Sequence, residues 1–344
     1  TQKKPTTVNP GAKFAEWYSN GKFEMLIENT LNPADEKVYE FVDKVMTEVA
    51  ALFPSQYIHM GGDECYHGYW EKDPKVQEFM KKNKLKDSHD LQSYFVTRVN
   101  KIINAKGKKM IGWDEILEGE LVSNAAVMSW RGMKGGIDAA KKGHQVVMSP
   151  TTFAYLDYTQ GDKSVENPIY AELSLRKTYE FEPVPDDVDS KFILGGQGNL
   201  WTEVIPNLQY AFYMTYPRAF AIAESVWSPK GTKNWDSFVN RVETQFYRFD
   251  AANTSISKAI YDPVVTVRKN DDGKIYVTLK TEIPNTEIFY SIDNTYPVKF
   301  AQKYQSEFWV PEGNLSLRAQ NYRNGQPLGR ELIIPFSDLQ KRVK

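Results

Sequence analysis

Cysteine and histidine are scarce in this 344-residue sequence, which holds one Cys, Cys65, and four His. A single thiol excludes an intramolecular disulfide and a zinc–thiolate cluster. His59, His67, His89 and His144 lack the spacing of metal ligands, so no metal and no cofactor are expected. Neither sign of charge is in surplus: 43 Lys and Arg face 44 Asp and Glu. Phosphate binding draws on clustered Lys and Arg, so no nucleic-acid partner is expected. No apolar run reaches about 18 residues, the length a membrane-spanning helix needs. No apolar signal core follows Thr1, so any targeting peptide is read as removed or outside this sequence.

What is present is ordinary globular material. Hydrophobic residues make up 41% and charged residues 25%, which argues against a mainly disordered chain and fits one or two domains. Eight Trp, 20 Tyr and 18 Phe supply flat faces that suit sugar rings, although large aromatics also fill cores.

Residues 1–32 are polar, with Pro5, Pro10 and Gly11, and read as an irregular lead-in; Glu24–Glu28 reads as a short strand within it. Asn32-Pro33 then reads as a helix start, Asn32 capping and Pro33 at the first position. Val38, Phe41, Val42, Val45, Met46, Val49 and Leu52 follow at helical spacing, and Pro54 stops the run. A second helix reads from Ser88 to Ala105, ended by Gly107, and others at 207–226, kinked by Pro217, and 235–249. Between them lie short apolar runs: Tyr57–Met60, Lys109–Trp113, Ala126–Trp130, Gln145–Met148 and Phe192–Leu194. They are nearly continuous, as in strands buried on both faces, and their alternation with helices predicts a parallel α/β fold over 33–255. After Asp262-Pro263 only strand-like segments follow, with turn signals at Asp271-Asp272-Gly273 and Asn324-Gly325. Residues 262–337 read as a small β-sandwich.

The parallel strands tend to end in Gly, Trp and carboxylates. They run into His59-Met60-Gly61-Gly62-Asp63-Glu64, Gly112-Trp113-Asp114-Glu115, Ser129-Trp130-Arg131-Gly132 and Gly198-Asn199-Leu200-Trp201-Thr202-Glu203. In a parallel barrel such ends converge on one face, where active sites form. A glycosidase that uses its own nucleophile or activates water places two carboxyls about 5–9.5 Å apart, on opposite sides of the bond. Adjacent Asp63 and Glu64 lie more naturally on one side, which suits a nucleophile belonging to the substrate. Asp114-Glu115 competes, but reads better as a capped helical turn. Trp113, Trp130 and Trp201 suggest a shared aromatic pocket. Tyr155 and Asp157 alternate and can face one site. The glycines at 195–198 do not fit the dinucleotide pattern.

These motifs, in this order over residues 30–250, resemble family 20 of the glycoside hydrolases, the β-N-acetylhexosaminidases. Tyr216-Pro217-Arg218 and Ala223-Glu224-Ser225-Val226-Trp227 resemble the last barrel helix of that family. Residues 262–337, with Phe289-Tyr290-Ser291-Ile292-Asp293, resemble the small sandwich of some bacterial members. The resemblance implies hydrolysis of terminal β-linked N-acetylglucosamine or N-acetylgalactosamine through an oxazolinium intermediate formed by the substrate's acetamido group. It implies Glu64 as acid and then base, and Asp63 on the acetamido N–H. Tyr155 would donate to the acetamido oxygen. Trp113, Trp130 and Trp201 would surround the methyl, and Asp157 and Glu203 would hold hydroxyls. His59, Arg131 and Arg218 would be structural. Secretion or periplasmic export follows from the resemblance alone.

In that family the Asp-Glu pair ends the fourth strand of a (β/α)8 TIM barrel. The expectation here is therefore an incomplete barrel, about strands 4–8, followed by the sandwich. The first three strands, with an Arg and a His of the family's site, are expected to be missing. Barrel strands left as edges are exposed to self-association, and the chain alone is expected to have little or no activity. The other readings are release of a disaccharide such as lacto-N-biose, a non-catalytic glycan-binding protein, and a structural module.

Overall fold

The structure, a computed structural model, describes residues 30–343 apart from 121, 168, 170, 299 and 314. Most of the expected lead-in, with Glu24–Glu28, lies outside the described residues. Two compact units are present. One comprises the described residues up to Pro150 with Val184–Gly195, and the other Thr151–Pro183 with Gly196 onward.

In the first unit the expected opening helix is α1, Glu36–Leu52. Its cap is Asp35, not Asn32: Asp35 accepts from Lys37 N at 3.0 Å, while Asn32 Oδ1 accepts from Ala34 N in the turn before it. The carboxylate nearer the first turn takes the helical N–H groups. Strand β1, Tyr57–His59, leads to α2, Gly68–Lys72, and α3, Pro74–Lys82. Asp73-Pro74 is a capping signal in the sequence of α3, and Asp73 accepts from Lys75 N at 2.8 Å. Helix α4, Ser88–Ala105, is capped by Asp87 and closes at left-handed Gly107. Strands β2, Lys109–Trp113, and β3, Ala126–Ser129, follow, then α5, Lys134–Lys141, strand β4, Val146–Met148, and β5, Ile193–Gly196.

The five strands form one sheet in chain order, with β1–β2, β2–β3 and β3–β4 parallel. Register separates its two faces. Ile58, Met110, Val127, Val146 and Met148 lie on one and are buried. Tyr57, His59, Ile111, Trp113, Met128 and Val147 lie on the other. A cluster of Ile111, Ala126 and Met128, with Tyr57, Trp113 and Val147 packed on it, occupies that second face.

The second unit opens with α6, Thr151–Ala154, and α7, Leu175–Tyr179. The helix expected at 207–226 is two helices, α8, Leu208–Thr215, and α9, Arg218–Trp227, parted at Tyr216-Pro217. Proline there removes a donor and clashes with the preceding turn, so the chain breaks where a kink was expected. Helix α10, Trp235–Ala251, buries Phe238, Val239, Val242 and Phe246. Strands β6, Val264–Lys269, β7, Ile275–Lys280, β8, Glu287–Ser291, β9, Gln302–Lys303, β10, Phe308–Val310, β11, Ser316–Arg323, and β12, Gln326–Pro335, precede α11, Phe336–Lys341. They make two antiparallel sheets, β10-β7-β6 and β12-β11-β8-β9. Both contribute to one core that includes Val267, Val277, Leu279, Tyr290, Leu317, Leu332 and Ile334. Asn324 and Gly325 have φ of +53° and +73°, so the β11–β12 turn takes the left-handed conformations its sequence announces. The expected fold class holds: an incomplete barrel-type parallel α/β arrangement is followed by an all-β sandwich.

Candidate active site

Two glycines just past β1 shape the loop that follows it. Gly61 and Gly62 have φ of +79° and +101°, and a Cβ on Gly62 would lie 2.8 Å from Ile116 Cγ2. His59 Nδ1 accepts from Gly61 N at 3.1 Å, and its ring packs on Trp113 with centroids 4.8 Å apart. Gln92 donates to Gly62 O at 3.0 Å and bonds His67 at 2.8 Å. This bracing presents Asp63 and Glu64, both exposed. Glu64 adopts φ +48°, a left-handed conformation few side chains enter. Among the described residues neither carboxylate has a hydrogen-bond or ion-pair partner. Both border a cavity of about 500 Å³ whose other walls include Phe41, Met46, Met60, Phe95 and Val99. Neither Trp113 nor Trp130 lines that cavity.

The second carboxylate pair ends β2. A 3-10 turn, Asp114–Leu117, forms as expected, but Asp114 does not cap it. Asp114 instead reaches the end of β3. It accepts from Trp130 N at 3.1 Å, Arg131 N at 3.3 Å, Ser129 Oγ at 3.2 Å and Arg131 Nε at 2.6 Å. The N–H groups at the end of β3 and the Arg131 guanidinium lie within reach of this buried carboxylate and take up its acceptor capacity. Glu115 accepts the Trp130 indole N–H at 2.9 and 3.1 Å. Burial raises its carboxyl above the ordinary range, against the pull of that N–H. Arg131 also pairs with Glu118 at 2.6 Å, in keeping with the structural role expected of it.

Tyr155, Asp157, Trp201 and Glu203 belong to the second unit. Tyr155 bridges Asn199 in parallel fashion, and Leu156 N donates to Asn199 O at 2.6 Å. The Tyr155 and Trp201 rings are 6.3 Å apart. Burial raises the Tyr155 hydroxyl, which keeps it a donor at neutral pH. Asp157 is buried, whereas Trp201 and Glu203 are exposed. Arg218 is fully buried and donates to the carbonyls of Leu156, Tyr158, Leu173 and Met214 at 2.6–3.0 Å. Burial pushes its pKa down to about 9, so it stays charged and clamps the Tyr155–Tyr158 loop. Among the described residues no group of three or more His, Cys, Asp or Glu could hold a metal ion.

Parallel strands that end in carboxylates and tryptophans place the chain among barrel-type enzyme folds. Comparison with known proteins narrows this. The model of the glycosyl hydrolase family 20 catalytic domain matches residues 2–230. A β-hexosaminidase of Porphyromonas gingivalis is 38% identical over 278 residues, 78% of this chain and 35% of that protein. One of Vibrio furnissii is 39% identical over 206 residues, 58% of this chain and 34% of that protein. The solved structure of a family 20 exo-β-N-acetylglucosaminidase of Vibrio harveyi, in complex with N-acetylglucosamine, matches with a TM-score of 0.64 and 33% identity. That match covers 72% of this chain and 40% of the other. The chain belongs to glycosyl hydrolase family 20, and it spans about a third of the length of these two curated relatives.

Proposed function

We propose that the complete protein is a β-N-acetylhexosaminidase that releases terminal β-linked N-acetylglucosamine or N-acetylgalactosamine from glycans, with assistance from the substrate. The Asp63-Glu64 pair carries this reading. It is adjacent, exposed, and held at a strand end with Glu64 in left-handed backbone, a strained conformation that clusters at functional sites.

Adjacent carboxyls favour a nucleophile supplied by the sugar itself. The acetamido oxygen attacks the anomeric carbon while Glu64 protonates the departing oxygen. Glu64 then takes a proton from the water that opens the oxazolinium. Asp63 accepts from the acetamido N–H and offsets the developing positive charge. Tyr155 donates to the acetamido oxygen, Trp113, Trp130 and Trp201 surround its methyl, and Asp157 and Glu203 hold hydroxyls. The catalytic domain is 33–255, with 262–337 as an appended sandwich, and the protein is secreted or periplasmic.

The test is hydrolysis of an aryl 2-acetamido glycoside and of its fluorinated acetamido analogues. Rates that fall steeply as fluorine weakens the acetamido oxygen support participation; a flat series overturns it. The chain on its own is proposed to be nearly inactive and to self-associate. Phe41 and Leu52 on α1 and Phe53 just after it are 54–74% exposed, and Trp227 is 86% exposed. Turnover by residues 1–344 at the rate of the complete protein would overturn that.

A further inference from the structure

We propose that Glu115 is a positioning residue for the sugar site, because its carboxylate fixes the angle of the Trp130 indole. The inference rests on the reading of Trp130 as a wall of the acetamido pocket.

One dipeptide holds both the backbone and the ring of Trp130. Asp114 takes its backbone N–H, and Glu115 takes its indole N–H with both oxygens. Trp130 lies just past the end of β3. An indole N–H is only a donor, so a bifurcated acceptor on a short turn restricts the ring's rotation. The choice of acceptor is informative. Glu115 is 7% exposed, and an apolar residue of similar volume would cost the fold less than a buried charge. Against the cost of burial, the charge is stabilised first by the Trp130 N–H, then by the backbone N–H of Glu115, and then by Arg131, whose Nε lies 3.8 Å away. A charge-assisted bond holds the ring more firmly than a neutral acceptor does.

The experiment compares Glu115→Leu, Glu115→Gln and Trp130→Ala in the complete protein. Binding of N-acetylglucosamine is measured by calorimetry, and the indole N–H resonances by NMR of tryptophan-labelled protein. Leu keeps the bulk and removes the acceptor, while Gln keeps one acceptor oxygen. In Glu115→Leu the Trp130 indole resonance moves and N-acetylglucosamine binds about tenfold more weakly, the worth of one hydrogen bond to a charged group. The melting temperature holds or rises. Glu115→Gln restores binding to within about threefold. If Trp130→Ala weakens binding and Glu115→Leu does not, the positioning role is wrong and the pocket reading stands. If Trp130→Ala leaves binding unchanged, or the wild type does not bind the sugar, the pocket reading fails and this inference with it.

Discussion

Two Asp-Glu pairs end adjacent strands of one sheet, and their surroundings are opposite. Asp63-Glu64, after β1, is exposed and has no partner among the described residues. Asp114-Glu115, after β2, is buried and occupied on every side: Asp114 is 2% exposed and accepts four hydrogen bonds. A carboxylate already committed to N–H and guanidinium groups has nothing left for a substrate. Glu64 stands exposed on left-handed backbone, the kind of local strain that clusters at functional sites. The same dipeptide is therefore left exposed and uncommitted in one place and built into the architecture in the other.

The largest expected effect tests the first pair. Glu64→Gln in the complete protein should lower kcat/KM by about 10²–10⁴-fold, the range for a lost general acid. Its stability should change by no more than about 0.5 kcal/mol, as at an exposed site. Retained activity with a large loss of stability would break the contrast.

Asp114→Ala should do the reverse. It strands buried N–H groups and Arg131, so denaturant unfolding should show a loss of about 2–4 kcal/mol. Asp63→Ala should change stability by no more than about 0.5 kcal/mol in the same assay. Gly62→Ala probes the backbone that separates the pairs. Its positive φ and the close approach to Ile116 should cost about 1–3 kcal/mol in the same measurement.

The smallest effect concerns pH. Burial raises the folded-state carboxyl of Glu115 above its ordinary value of 4.5, so the folded state favours the neutral form. That stabilisation is fully present below 4.5 and is lost as pH rises through the folded value. Glu115→Gln should therefore melt above the wild type at neutral pH, with the gap closing toward pH 4.5. A gap that does not vary with pH would mean the charge is not felt by the fold.

Much of the fold was legible. The helices at 36–52 and 88–105 announced themselves through apolar spacing and caps, and the buried strands through short apolar runs. Local signals misplaced the cap of α1 and joined α8 to α9, because competition between nearby acceptors and the severity of a proline break depend on three-dimensional detail. The Asp63-Glu64 pair could be singled out because His-x-Gly-Gly before it is unusual. Glu115 reads locally as part of a helical turn. Its partner, Trp130, lies 15 residues away, and nothing in the spacing joins them.

The sequence by itself carried the ordered motifs by which the chain resembles its family, and it determined the order of strands and helices and the residues able to do acid–base and stacking chemistry, because these rest on residue type, motif order and short-range periodicity. Only the tertiary structure decided which carboxylates are free to act. Burial and hydrogen-bond occupancy are set by neighbours distant in the chain, and identical Asp-Glu dipeptides diverge once β1, β2 and β3 are laid side by side.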